Sequence, residues 1–172
     1  ISAKLSKIVI VARLAAEIVT TTPVRVVDAA QLTIGTGLLA LEAARAAREG
    51  HTVEAIVEML KVYTKRVHTI AMLDTLEYLR RSGRLSRFQA LMGTVLRIKP
   101  LLTMNDDVIG MERVRTHQKA IGRLCDILTT LLPVESLVMV HTHARAEAES
   151  LWEQISALVP ELSYPVFVDV TT

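Results

Sequence analysis

LDTLEYLRRSGRLSRFQALMGTVLRIKPLLTMNDDVIGMERVRTHQKAI, residues 73–121, is the stretch where the chain changes texture. It leaves a strand-like run, passes through a short helix and breaks at Ser82-Gly83. A second, amphipathic helix is predicted over 85–96. "IKPLLTM" and "VIGMERVR" then read as two strands, and the "NDD" between them is turn chemistry, so the pair predicts an antiparallel hairpin. The break places the expected domain border: 1–82 before it, 83–172 after it.

Working outward, the downstream part predicts a helix over 116–132, the strand "SLVMVHT", a helix over 144–158 and the last strand "YPVFVDV". With the hairpin this gives β-β-α-β-α-β, a two-layer α+β pattern. Upstream, residues 4–19 carry apolar side chains at near-helical spacing, interrupted by Lys4, Lys7, Arg13 and Glu17. Pro23 pushes Thr22 out of the α region. "VRVVDA" (24–29) reads as a short buried strand. "QLTIGTGLLALEAARAAREG" is a strong helix with Gly50 as its stop, and Thr52 caps the next one. "HTIAMLD" is a strand again. The order α-β-α-α-β favours a parallel sheet covered by helices. The fold class is therefore α/β, a partial parallel-sheet first domain followed by an α+β second domain.

Of the 172 residues 51% are hydrophobic but only 3% aromatic, so the core is expected to be aliphatic. No apolar run approaches the length of a membrane span. The formal charge of +2, from 20 basic and 18 acidic residues, lacks the basic excess of a nucleic-acid surface. One cysteine, Cys125, excludes an internal disulfide and suits a reducing, cytoplasmic setting. "ISAKLSK" has no signal-peptide grammar. The chain opens on Ile1 rather than Met and closes on "VDVTT", so both ends read as cut.

Motif by motif, little chemistry emerges. "IGTGLL" lacks the third glycine and the later acidic residue of a dinucleotide loop, position 57 being Val. Gly35 and Gly37 read instead as room for a helix to start close to the sheet. "HTHA" (141–144) holds two imidazoles, with only Glu147 and Glu149 nearby as further ligands, short of a typical metal set. Cys125 reads as a small core residue and His117 as surface. No catalytic residue is assigned. The arginines differ from one another. Arg80, Arg81 and Arg87 read as a solvated helix surface. Arg84, ahead of a helix N-terminus with Ser86 in its first turn, is a candidate for a carboxylate or phosphate. The Ser-Gly step before it is expected to admit a close backbone approach.

The 73–121 run closely resembles the DegV-like fatty-acid-binding proteins, whose "TLEYLKKGGRI", "ALLGSLLNIKPIL" and "EKVRTRKKA" segments it follows. "VVDAAQLTIGTGLLALEAARAAREG" is similar to the family's "VVDSKSVSMGLGLLVLEAARLAKEG", and "ISAKLSKIVIVARLAAE" to its "ISSxLSGTYQSAxLAAE". The resemblance covers essentially the whole chain. It implies a two-domain α/β protein that holds a long-chain fatty acid between its domains. It further implies an acyl-carrying subunit of a fatty acid kinase, with chemistry left to a kinase catalytic subunit and no cofactor or metal of its own. Carried over residue by residue, Ser2 and Ser6 stand at family serines and Arg84 at the arginine of "GGR". Ala3, Lys7, Ile8 and Val9 depart from the pattern. The N-terminal Thr/Ser loop and the C-terminal H-x-GPG segment have no counterpart here.

Two other readings stay open at this point. One is an enzyme with a phosphate or metal site at Arg84 and "HTH". The other is a diverged or truncated scaffold that keeps the apolar interface without the ligand, which the Lys7, Ile8 and Val9 substitutions favour.

Overall fold

The computed structural model describes residues 2–84, 98–106, 108–162 and 166–170. The helix expected over 85–96, with Ser86 and Arg87, lies outside them. Two compact units emerge, Ile1–Arg113 and Val114–Thr172.

In the first unit the helices are α1 (Ile8–Ile18), α2 (Thr33–Arg48), α3 (Val53–Thr64) and the short α4 (Glu77–Arg81). The strands are β1 (Thr69–Met72), β2 (Lys99–Asn105) and β3 (Val108–Val114). Local chemistry sets their ends. Gly50 adopts φ 86° just past α2, the left-handed stop that a side chain resists. Thr52 accepts a hydrogen bond from the Ala55 N–H at 3.2 Å and so caps α3. Strand order is β1-β2-β3, with β1 antiparallel to β2 in a register that places Thr69 opposite Met104. β2 and β3 are neighbours joined through residues 106–107, with Asp106 at φ 41°; so tight a connection makes them the expected antiparallel hairpin.

"VRVVDA" turns out differently. Residues 24–29 belong to no strand. Val27 and Ala29 nevertheless pack with Leu39 of α2 and Leu60 of α3, so the segment is buried as expected, with no strand ladder among the described residues. The parallel pairing expected in this part is not found among the described residues. A second cluster joins Leu5 and Met104 with Leu32, Leu79, Leu102, Ile109 and Met111.

In the second unit α5 (His117–Thr130) is capped by Thr116, whose hydroxyl accepts from the Lys119 N–H at 3.3 Å. β4 (Val138–His141), α6 (Arg145–Ile155) and β5 (Val166–Asp169) follow, β4 and β5 being parallel with His141 opposite Asp169. A parallel pair joined through a helix is the βαβ unit. Its core gathers Leu128, Met139, Ala148 and Ile155, with Cys125 half-buried beside them. Burial pushes the Cys125 thiol up, as expected of a packing residue rather than a nucleophile.

Candidate functional site

A turn over residues 2–7 leads into α1, and three backbone hydrogen bonds fasten it. The Ser2 N–H donates to the Gln31 carbonyl at 2.9 Å, while the N–H groups of Leu5 and Ser6 return to the Ser2 carbonyl at 3.2 and 3.0 Å. The Asp28 carboxylate accepts from the Ala3 N–H at 3.1 Å and from the Ala30 N–H at 3.0 Å. Ser2 is wholly buried, and its hydroxyl accepts from the Lys4 N–H. Ser6 is half-buried; its hydroxyl accepts from the Ile8 N–H at 3.2 Å and thereby serves the start of α1.

Beneath the turn stands Gln31, fully buried, donating to the Val67 carbonyl at 2.8 Å and accepting from the Thr69 hydroxyl at 2.9 Å. A buried amide needs such partners, since an unmade bond there costs about 1–3 kcal/mol. Asp28 and Gln31 were not singled out from sequence. The signal was a polar pair inside an otherwise apolar "VVDAAQL".

Arg84 approaches from the other side. α4 ends in a Schellman arrangement: the Gly83 N–H reaches the Arg80 carbonyl and the Arg84 N–H the Leu79 carbonyl, both at 3.0 Å, with Gly83 at φ 68°. Among the described residues no atom lies within 4 Å of where a Gly83 Cβ would stand. The glycine therefore supplies a left-handed backbone, and the expected close approach is not found among the described residues. From that position the Arg84 Nε donates to the Leu5 carbonyl at 3.4 Å. The guanidinium nitrogen thus reaches the backbone of the turn that also carries Ser2 and Ser6, whose hydroxyls are turned to the N–H groups of Lys4 and Ile8. Beside them, Leu5, Leu32, Thr69, Ala71, Leu102, Thr103, Met104 and Ile109 line an apolar cavity of about 40 Å³.

The neighbouring arginines are occupied. Arg80 makes two contacts with Glu77, at 2.8 and 2.6 Å, and Arg81 a third at 2.8 Å. Those hydrogen bonds hold the Glu77 carboxyl well down, to about 2. They form an exposed surface network, as predicted.

"HTHA" does not assemble a metal site among the described residues. β4 stops at His141, which is buried, while His143 is exposed at φ 51°, so the two imidazoles do not share a strand face. Elsewhere an open cleft of about 370 Å³ lies between Val27, Asp28, Ala30, Lys61, Thr64, Lys65 and Asp106.

The model of the DegV family, described as an uncharacterised protein of that family, matches residues 1–168. The chain belongs to the DegV family. A DegV domain-containing protein of Caldanaerobacter subterraneus is 35% identical over 149 residues, 84% of this chain and 52% of the relative. Protein DegV of Bacillus subtilis is 35% identical over 134 residues, 74% of this chain and 47% of the relative. The chain thus spans about half the length of these curated relatives.

Solved DegV structures share the fold. The DegV family protein of Corynebacterium glutamicum superposes with a TM-score of 0.85 at 28% identity, over 99% of this chain and 66% of that one. DegV of B. subtilis, described as a fatty acid binding protein, gives 0.77 at 29% identity over 99% of this chain and 61% of that one. A fatty acid binding DegV family protein of Streptococcus agalactiae gives 0.82 at 25% identity, covering 99% and 61%. The expected DegV-like α/β class is therefore met. Among the described residues no helix is long and apolar enough to cross a membrane.

Proposed function

We propose that this chain forms part of a long-chain fatty acid carrier. Arg84, Ser6 and Ser2 would meet the carboxylate, and the aliphatic cluster under the turn would receive the first methylenes. The reading rests on one observation, the Arg84 Nε at the carbonyl of Leu5, a residue that also lines an apolar cavity. A guanidinium recognises a carboxylate bidentately, and the terminal nitrogens of Arg84 have no partner among the described residues. Each methylene buried contributes about 0.8 kcal/mol. Ligand cavities typically measure about 300–1,000 Å³, so 40 Å³ serves as an entrance and Leu5, Leu32, Met104 and Ile109 must yield for a longer chain. Methionine adapts readily to such a change.

Several matched structures are described as fatty acid binding, which supports the reading. The carrier presents the carboxyl group to a kinase catalytic subunit and performs no chemistry itself, in a cytoplasmic setting. The test is to strip the purified protein of lipid, expose it to oleate and weigh it by native mass spectrometry. One acyl chain per protein is expected. No uptake overturns the proposal.

A further inference from the structure

The apolar cavity beside Leu5 has one wall that can move. Thr69 and Ala71 of β1 line it, and the antiparallel register sets Met104 opposite Thr69 and Leu102 opposite Ala71. Residues directly opposite one another project to the same face of a sheet. Along this face each small side chain of β1 therefore meets a long one of β2. The small pair leaves a trough over β1, and the long pair fills it from the side.

The walls differ in freedom. Thr69 is fixed, because its hydroxyl donates to Gln31 Oε1 at 2.9 Å. Leu5 is held by its backbone at both ends, the N–H on the Ser2 carbonyl at 3.2 Å and the carbonyl on Arg84 Nε. Leu32, Leu102 and Ile109 are branched, with few and well-defined rotamers. Met104 is unbranched, with three rotatable bonds, and can enter or leave the same space while its backbone stays in the ladder. It is 4% exposed and shares a core cluster with Leu5. The adaptable side chain is thus the one that plugs the trough.

We propose that Met104 sets the length of acyl chain this site accepts. Lying across the trough it stops a chain near Leu5; swung aside it opens the floor over Thr69 and Ala71 to further methylenes. The inference rests on the acyl reading and adds to it a selecting residue, which nothing in the carboxylate contacts of Arg84 specifies.

The experiment offers the delipidated protein an equimolar mixture of decanoate, myristate and stearate, and native mass spectrometry reads the bound ratio. In Met104→Ala the ratio of stearate to decanoate should rise roughly tenfold, the factor that about two more buried methylenes give. Met104→Leu conserves volume and so keeps the fold, but the stiffer side chain cannot withdraw, and the ratio should move toward decanoate. A methionine that only supports the core would weaken all three chains alike and leave the ratio in place. An unchanged or reversed ratio in either folded variant overturns the proposal while the acyl reading stands. If the unaltered protein takes up none of the three, both fall together.

Discussion

The Arg84 Nε and the carbonyl of Leu5 meet at 3.4 Å across 79 residues of chain. Two local devices make that meeting possible. Gly83 turns the backbone left-handed after α4, and Asp28 with Gln31 pins the turn around Leu5. Both devices decide whether the guanidinium arrives at the turn, which the proposed acyl site requires.

Replacing Arg84 by Ala should leave the fold intact and weaken acyl binding. The residue is exposed, and a hydrogen bond to a charged group contributes about 1.5–3 kcal/mol, or roughly 10- to 150-fold in Kd. Arg84→Lys should recover only part, because the ammonium lacks the planar fork. Displacement of a fluorescent fatty acid reads both variants. Unchanged affinity in Arg84→Ala removes the residue from the site.

The two glycines of "IGTG" should respond in opposite ways to alanine. A Cβ at Gly35 would meet the Thr69 hydroxyl at 3.0 Å and the Gln31 amide oxygen at 3.1 Å. Crowding those hydrogen-bonded atoms should destabilise by about 1–3 kcal/mol. At Gly37 the nearest atom is the flexible end of Ile34, at 3.1 Å. Gly37→Ala should be neutral or stabilise by up to about 1 kcal/mol through helix propensity. Urea unfolding of the two variants checks the contrast, and it separates close packing at the β1 side from a phosphate loop.

Much of this architecture was readable in the residues because it is local. Caps at Thr52, a left-handed stop at Gly50 and alternating strands around "NDD" depend on near neighbours alone. That Val24–Val27 joins no strand among the described residues was not readable, since a strand pattern says nothing of whether a partner strand exists. Gln31 was missed for a related reason: its partners, Val67 and Thr69, are 36 and 38 residues away. At Gly83 the sequence showed a glycine before an arginine but did not distinguish a backbone turn from a close approach. Its φ of 68° decides for the turn.

Glu77 should titrate far below an ordinary glutamate, with a midpoint of about 2 set first by hydrogen bonds from Arg80 and Arg81. A depressed carboxyl contributes stability above its ordinary pKa and loses it as pH falls through the folded value. Any contribution here is therefore complete above about 4.5 and gone below about 2. The group lies at the surface and solvent screens it, so the global unfolding midpoint should not follow this titration. Side-chain carboxyl NMR shifts measure the midpoint. In an Arg80→Gln, Arg81→Gln double variant it should return toward 4.5. A midpoint near 4.5 in the unaltered protein dismisses the network.

His141 makes the sharpest demand on the second unit. Its ring is buried, and neither nitrogen has a hydrogen-bond partner among the described residues; the Asp169 carboxylate stands 3.5 Å from Nδ1. An imidazole kept from water without bonds loses about 1–3 kcal/mol of solvation. An apolar replacement of similar size escapes that penalty, while the exposed Asp169 stays hydrated. His141→Leu should therefore hold or raise stability by about 1 kcal/mol in chemical denaturation. His141→Asn, smaller and still polar, should lower it. If Leu destabilises by more than about 1 kcal/mol, the ring has a partner in the folded protein, and the end of the β4–β5 pair must be redrawn around it.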